Sequence, residues 1–163
     1  MAALKLFRAP SLRGGRRAQT SGPKRVLASL RPMILEPGAC VLSQVLLVDD
    51  NPIQLQVRET ILRNAGFRVA IATSAESAMA LLRTAKQHVG LIVTDHLMPG
   101  TGGAEFVRRL RAGDEHMPVI VLSGLPDAEE EYAGLNVAFR LKPLPPAELI
   151  DLVRQGMKGQ NAA

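Results

Sequence analysis

Five polar positions close short apolar runs: Asp49-Asp50 after 45–48, Asp95 after 89–93, Ser123 after 119–122 and Lys142, before Pro143, after 137–141. Any one of them alone reads as a helix cap, because Ser, Asp and Asn are preferred there. As a set they do not, since caps need neither a lysine nor two adjacent aspartates. The three carboxylates carry −3 and Lys142 returns +1. Like charges about 4 Å apart repel by roughly 4 kcal/mol per pair at an effective dielectric near 20. Such a cluster protonates a carboxyl group or binds a cation. A hard divalent ion brings the sum to zero, and Mg²⁺ suits a site with few protein carboxylates and spare water positions. Mg²⁺, a hydroxyl and a lysine around a carboxylate make a site for a phosphoryl group. No histidine or Cys–His pair is placed as a base, and a carboxylate nucleophile needs none.

Other phosphate chemistries fit less well. The pattern G-x-x-x-x-G-K-[ST] is absent, which argues against nucleotide hydrolysis of that kind. Gly100-Thr101-Gly102-Gly103 lacks the full G-x-G-x-x-G spacing and follows the third strand rather than the first, so it reads as a flexible turn. A phosphatase of the Asp-x-Asp type would need an aspartate where Leu97 stands. His96 reads as a solvated or capping side chain, and neutral imidazole is a poor partner for Mg²⁺. His88 and His116 fall in loops, and Glu129-Glu130-Glu131 reads as a solvated helix face.

The elements that must position these groups alternate from residue 44 onward. Strands are expected at 45–48, 67–71, 89–93, 119–122 and 137–141. Between the first two, Ile53, Val57 and Ile61 recur at helical spacing, Asn51-Pro52 supplies a cap and a first-turn proline, and Gly66 ends the helix. The second helix opens at Thr73-x-x-Glu76, a capping-box spacing, and gathers Ala78, Leu81, Leu82 and Ala85 on one face. The third turns Gly103, Phe106, Val107 and Leu110 inward and Arg108, Arg109 and Arg111 outward. A short fourth helix spans 127–133, and the last starts at Pro145-Pro146 with Leu149, Leu152 and Val153 on its apolar face. Five such βα units predict a parallel sheet with helices on both faces.

Strand order follows from patterning. The first, third and fourth strands are nearly continuous apolar runs, as strands covered on both faces are. The second alternates around Arg68 and the fifth around Arg140, which places them at the edges. With right-handed crossovers the order is 2-1-3-4-5, and ligands bind beyond the carboxyl ends where the order reverses.

Hydrophobic residues make up 47% of the 163-residue chain and aromatic residues 3%, so the core must be built from Leu, Ile, Val and Ala. Cys40 is the only cysteine, which excludes an internal disulfide and suits a reducing compartment. No apolar run approaches the ~18 residues that a membrane span needs. The net charge of +5 is unevenly placed: residues 1–43 hold eight basic residues against Glu36 alone, while residues 44–163 hold twelve basic and fourteen acidic ones. Residues 1–43 also lack sustained periodicity and are expected to be a disordered basic extension. A solvated tail (with Met33 as a later start), a transit peptide and a phosphate-contacting arm are the competing readings of it.

In combination these motifs resemble the receiver domain of two-component response regulators. Val48-Asp49-Asp50, Asp95-x-x-Met98-Pro99 with Gly103, Ser123-Gly124 and Phe139-x-x-Lys142-Pro143 carry the likeness over about residues 44–158. The resemblance implies a doubly wound (βα)5 flavodoxin-like three-layer fold at 44–158 and a short tail at 159–163. It implies that Asp95 accepts a phosphoryl group from a phosphohistidine. Asp50 would ligate Mg²⁺ directly, with Asp49 its partner through water, Asp95 in the coordination sphere and the backbone carbonyl of Leu97 as a further ligand. Lys142 would bridge to the phosphoryl oxygens. Ser123 would bond them in the active state, and Phe139 would then rotate inward.

The function expected is that of a stand-alone, cytoplasmic response regulator receiver rather than an enzyme with a separate substrate. Its partner would be a sensor histidine kinase or a histidine phosphotransfer protein. No DNA-binding output domain or membrane contact is expected, so the signal would leave through a downstream protein. The short fourth helix departs from the resemblance at the usual dimer face and leaves room only for a weak homodimer. Two alternatives are a phosphorylation-independent interaction module of the same fold and a nucleic-acid binder acting through residues 1–43.

Overall fold

The computed structural model describes residues 43–85, 88–113 and 116–160. Apart from Ser43, the expected basic extension lies outside the described residues, as do residues 161–163. Chain order is β1 (Gln44–Val48), α1 (Pro52–Asn64), β2 (Val69–Ala72), α2 (Ala75–Ala85), β3 (Val89–Asp95), α3 (Gly103–Arg111) and β4 (Val119–Ser123). A 3-10 helix (Pro126–Tyr132), β5 (Ala138–Leu141) and α4 (Pro146–Gln160) complete it. The five strands form one parallel sheet in the order β2-β1-β3-β4-β5, as the alternation of its edge strands predicts.

The sheet alternates its side chains between two cores. Leu46, Val48, Ile92 and Val121 pack with Ala78 and Leu82 of α2, and with Phe106, Val107 and Leu110 of α3. Val45, Leu47, Leu91, Val93 and Leu122 pack on the other face with Leu55 and Leu62 of α1, and with Leu149 and Val153 of α4. Every residue of β3 is buried, so this strand carries the centre of both layers. This is the three-layer, flavodoxin-like architecture. No helix among the described residues is long and apolar enough to cross a membrane.

Local signals account for both ends of α1. Asn51 accepts hydrogen bonds from the backbone N–H groups of Ile53 at 3.0 Å and Gln54 at 3.2 Å, with Pro52 opening α1. Gly66, at φ +91°, follows the end of that helix. Four expectations shift. The stripe Ile53, Val57, Ile61 is not the buried one: Ile53 is 72% and Val57 53% exposed, while Leu55 and Leu62 are buried. The cap of α2 lies one residue later than Thr73-x-x-Glu76, as a reciprocal pair in which Ser74 and Ser77 each accept from the other's backbone N–H at 3.1 Å. The fourth helix is a 3-10 helix, and Arg111 does not point outward. Its guanidinium donates to the carbonyls of Leu135 at 2.7 Å, Met117 at 2.9 Å and Asn136 at 2.9 Å. Arg108 donates to the Glu131 carbonyl at 3.1 Å, so α3 fastens the 3-10 helix and the loop after it.

Candidate functional site

Strand register brings the acidic groups together. Val48 pairs with Thr94, so the next residues on each strand, Asp49 and Asp95, emerge side by side at the carboxyl edge. Because Asn51 caps α1, Asp50 is not needed as a cap and stays exposed beside them. One carboxylate oxygen from each of Asp49, Asp50 and Asp95 lies within 4.8 Å of the others. Asp49 is 1% and Asp95 7% exposed. Three hard oxygen donors on two adjacent strands fit a divalent ion of the Mg²⁺ type.

Lys142 reaches this cluster from the edge strand. Its backbone N–H donates to the Ser123 carbonyl at 2.7 Å, which aligns the end of β5 with that of β4. The Lys142–Pro143 peptide is cis. The Lys142 amine forms an ion pair with Asp95 and also donates to Oε1 of Gln54 at 3.2 Å. The same Gln54 oxygen accepts from Nη2 of Arg58 at 2.6 Å, and Nη1 of Arg58 forms an ion pair with Asp49. The second Asp49 oxygen accepts from the backbone N–H of Asn51 at 2.8 Å. Two cations thus alternate with acids around one amide, in the sequence Asp49, Arg58, Gln54, Lys142, Asp95. Sequence reasoning missed Gln54 and Arg58. Their i, i+4 spacing on the helix just after Asp49-Asp50 was the available signal.

The residue after Asp95 is also engaged. His96 is buried, contrary to the solvated reading, with Nδ1 2.9 Å from the hydroxyl of Tyr132. The rings of His96 and Tyr132 meet edge-to-face at 5.8 Å, and Tyr132 lies 5.8 Å from Phe139. Burial pushes the Tyr132 phenol well above its ordinary pKa, and the negative charges of Glu131 and Asp95 add to this. Phe139 is already packed inward beneath Tyr132. Ser123 is buried, and its hydroxyl donates to the Leu125 carbonyl at 3.1 Å while accepting from the Leu125 N–H at 2.9 Å.

The Gly100–Gly103 turn is shaped rather than merely flexible. A Cβ at Gly103 would meet the Asp95 carbonyl, the Tyr132 hydroxyl at 2.8 Å and the His96 Cα at 2.9 Å. Thr101 donates to Glu76 at the start of α2, and that hydrogen bond holds the exposed Glu76 carboxyl below its ordinary pKa. The side chain of Leu97 is exposed, and Glu129, Glu130 and Glu131 are solvent-facing as expected.

A doubly wound α/β domain with an acidic, lysine-bridged cluster beyond the carboxyl ends of its central strands is the class defined by these features. The chain belongs to the response regulator receiver domain family, which matches residues 45–154. It is 40% identical over 121 residues to the hydrogenase transcriptional regulatory protein HoxA of Cupriavidus necator, covering 71% of this chain and 24% of HoxA. An uncharacterised 14.6 kDa protein of Leptolyngbya boryana is 34% identical over 116 residues, covering 68% of this chain and 87% of that protein. The crystal structure of a response regulator receiver protein from Pseudomonas putida superposes with a TM-score of 0.65 at 32% identity. That likeness covers 69% of this chain and 96% of the other.

Proposed function

We propose that this receiver takes a phosphoryl group onto Asp95 from the phosphohistidine of a histidine kinase or histidine phosphotransfer protein, with Mg²⁺ held by Asp49, Asp50, Asp95 and the Leu97 carbonyl. The single observation that carries the reading is the convergence of three carboxylates within 4.8 Å beside a lysine already paired with one of them. The Lys142–Asp95 and Arg58–Asp49 ion pairs account for two of the three acids, and structural pairing has no use for the third, Asp50.

Transfer proceeds by attack of an Asp95 carboxylate oxygen on phosphorus. An O–P bond forms, the donor's N–P bond breaks, and its electron pair stays on the imidazole nitrogen, which takes up a proton. When bound, the divalent ion offsets charge on the phosphoryl oxygens. Lys142 moves from the Asp95 carboxylate to a phosphoryl oxygen, keeping its hold on Gln54. Ser123 exchanges its two bonds with Leu125 for one to the phosphoryl group, which re-forms the loop after β4 and alters what the 3-10 helix presents to a downstream protein. Phe139, being inward already, serves as the packing floor for that change. The donor would approach over the apolar groove beside Lys142, which Ile53, Val57 and Leu149 line.

The test is Mg²⁺-dependent labelling by acetyl phosphate, read by intact mass. Wild-type protein should be labelled only with Mg²⁺ present and Asp95→Asn should fall to background. Unchanged labelling of the Asn variant would remove Asp95 as the acceptor.

A further inference from the structure

We propose that Arg58 is a resident counter-cation of the acidic site, which holds Asp49 until a divalent ion displaces it and thereby weakens the binding of that ion. The inference rests on the reading of the acidic cluster as a metal site. Arg58 is a second cation at the site beside Lys142. Arg58 lies on α1, nine residues after Asp49, and its side chain is 14% exposed against 1% for its partner. Its position is fixed at two points, by Asp49 through Nη1 and by Gln54 at 2.6 Å through Nη2.

Both Asp49 oxygens are therefore in use, one by the Asn51 N–H and the other by the guanidinium. A divalent ion that draws on Asp49 must compete with a charge-assisted hydrogen bond, in a place where water screens little. It must also accept a positive neighbour. With Arg58 counted, Asp49, Asp50, Asp95, Lys142 and Arg58 sum to −1, so a bound divalent ion leaves the site at +1 rather than zero. Phosphorylation of Asp95 exchanges one negative charge for about two and returns the sum to zero. Arg58 thus disfavours the metal-loaded, unphosphorylated site and matches the phosphorylated one. Gln54 ties this to catalysis, because its single oxygen receives both Arg58 and Lys142.

A merely structural Arg58 predicts the opposite sign. Its loss would strand the buried Asp49 carboxylate, loosen the site and weaken or leave unchanged its hold on metal. A counter-cation predicts tighter binding on its removal, because the ion takes over the vacated oxygen and loses a repelling neighbour.

The experiment is Mn²⁺ binding to the full chain, read from the electron paramagnetic resonance signal of the free ion, with Mg²⁺ as competitor. Arg58→Met should bind roughly ten- to a hundredfold more tightly than wild type. Arg58→Lys, which keeps the charge, should stay near wild type. Equal or weaker binding by folded Arg58→Met overturns the proposal while leaving the metal site standing. Absence of Mn²⁺ binding in wild type and both variants overturns the metal-site reading and this proposal with it. Should Arg58→Met fail to fold, the wild-type protein decides: the NMR signal of the Arg58 Nε–H must shift in step with metal saturation and return on chelation. A signal unmoved at saturation overturns the proposal.

Discussion

Replacing Tyr132 by phenylalanine removes one oxygen and leaves every ring contact in place. The His96 ring still meets an aromatic edge, and Phe139 still lies against the same face. What is lost is the 2.9 Å bond to His96 Nδ1, in a region where both residues are buried and water has little access. Among the described residues no buried side-chain nitrogen or oxygen lacks a partner, so the variant would create the first such vacancy. A stranded buried polar group costs about 1–3 kcal/mol. At about 2.1 cal/mol/K of unfolding entropy per residue, a folded unit of this size loses about 4 °C in Tm per kcal/mol. Tyr132→Phe should therefore unfold roughly 4–12 °C lower by differential scanning calorimetry. Tyr132→Ala, which also empties the ring's place, should cost about 3–5 kcal/mol. A double-mutant cycle with His96→Leu should return a coupling of about 1 kcal/mol or more, because the hydroxyl has no partner to lose once the imidazole is gone. A Tyr132→Phe loss that is near zero, or equally large in the His96→Leu background, would refute the assignment of this bond.

The same residue gives an optical titration. Tyr132 is the only tyrosine and tryptophan is absent, so absorbance at 295 nm reports this phenol alone. Its folded pKa is raised above the ordinary 10.0, so at pH 10 less than half should be ionised in the native protein, against about half in urea. The fold favours the neutral phenol; its contribution to stability is complete below pH 10 and is lost as pH rises through the higher, folded pKa. A native midpoint at or below 10 would contradict the burial. Gly103→Ala should cost about 1–3 kcal/mol, since two of the atoms its Cβ would meet belong to backbone at Asp95 and His96. A urea midpoint unchanged from wild type would show that this turn is looser than described.

Much of this fold was legible because its two strongest signals are local. Continuous apolar runs marked β1, β3 and β4, alternation around Arg68 and Arg140 marked the edges, and the order followed from crossover handedness. The carboxyl-edge acids were legible for the same reason, as each sits where its strand ends. Failures arose where two local patterns compete. In α1, Ile53-Val57-Ile61 and Leu55-Leu62 are both helically spaced, and only the sheet decides which is buried. Ser74 and Ser77 share the spacing of Thr73 and Glu76, and Glu76 is drawn instead to Thr101, 25 residues away. Pro126–Tyr132 forms a 3-10 helix, and over seven residues a sequence pattern does not separate about 3.0 from about 3.6 residues per turn. The burial of His96 was beyond reach because its partner, Tyr132, lies 36 residues away and is brought to it by tertiary packing, whereas Arg58 left a local trace in its i, i+4 spacing from Gln54.

Asp95 is where the two layers of the molecule meet electrostatically. Toward the layer of α1 and α4 its carboxylate holds Lys142, and through Gln54 that amine shares an acceptor with Arg58. Toward the layer of α2 and α3 its charge helps keep the Tyr132 phenol neutral, and the next residue, His96, bonds that phenol directly. A change of charge at Asp95 acts on both sides at once, on the cations by direct pairing and on Tyr132 through the field. The 3-10 helix ends at Tyr132, and Arg108 of α3 donates to its Glu131 carbonyl. Through Tyr132, the last residue of a largely exposed segment, the charge at Asp95 bears on the surface.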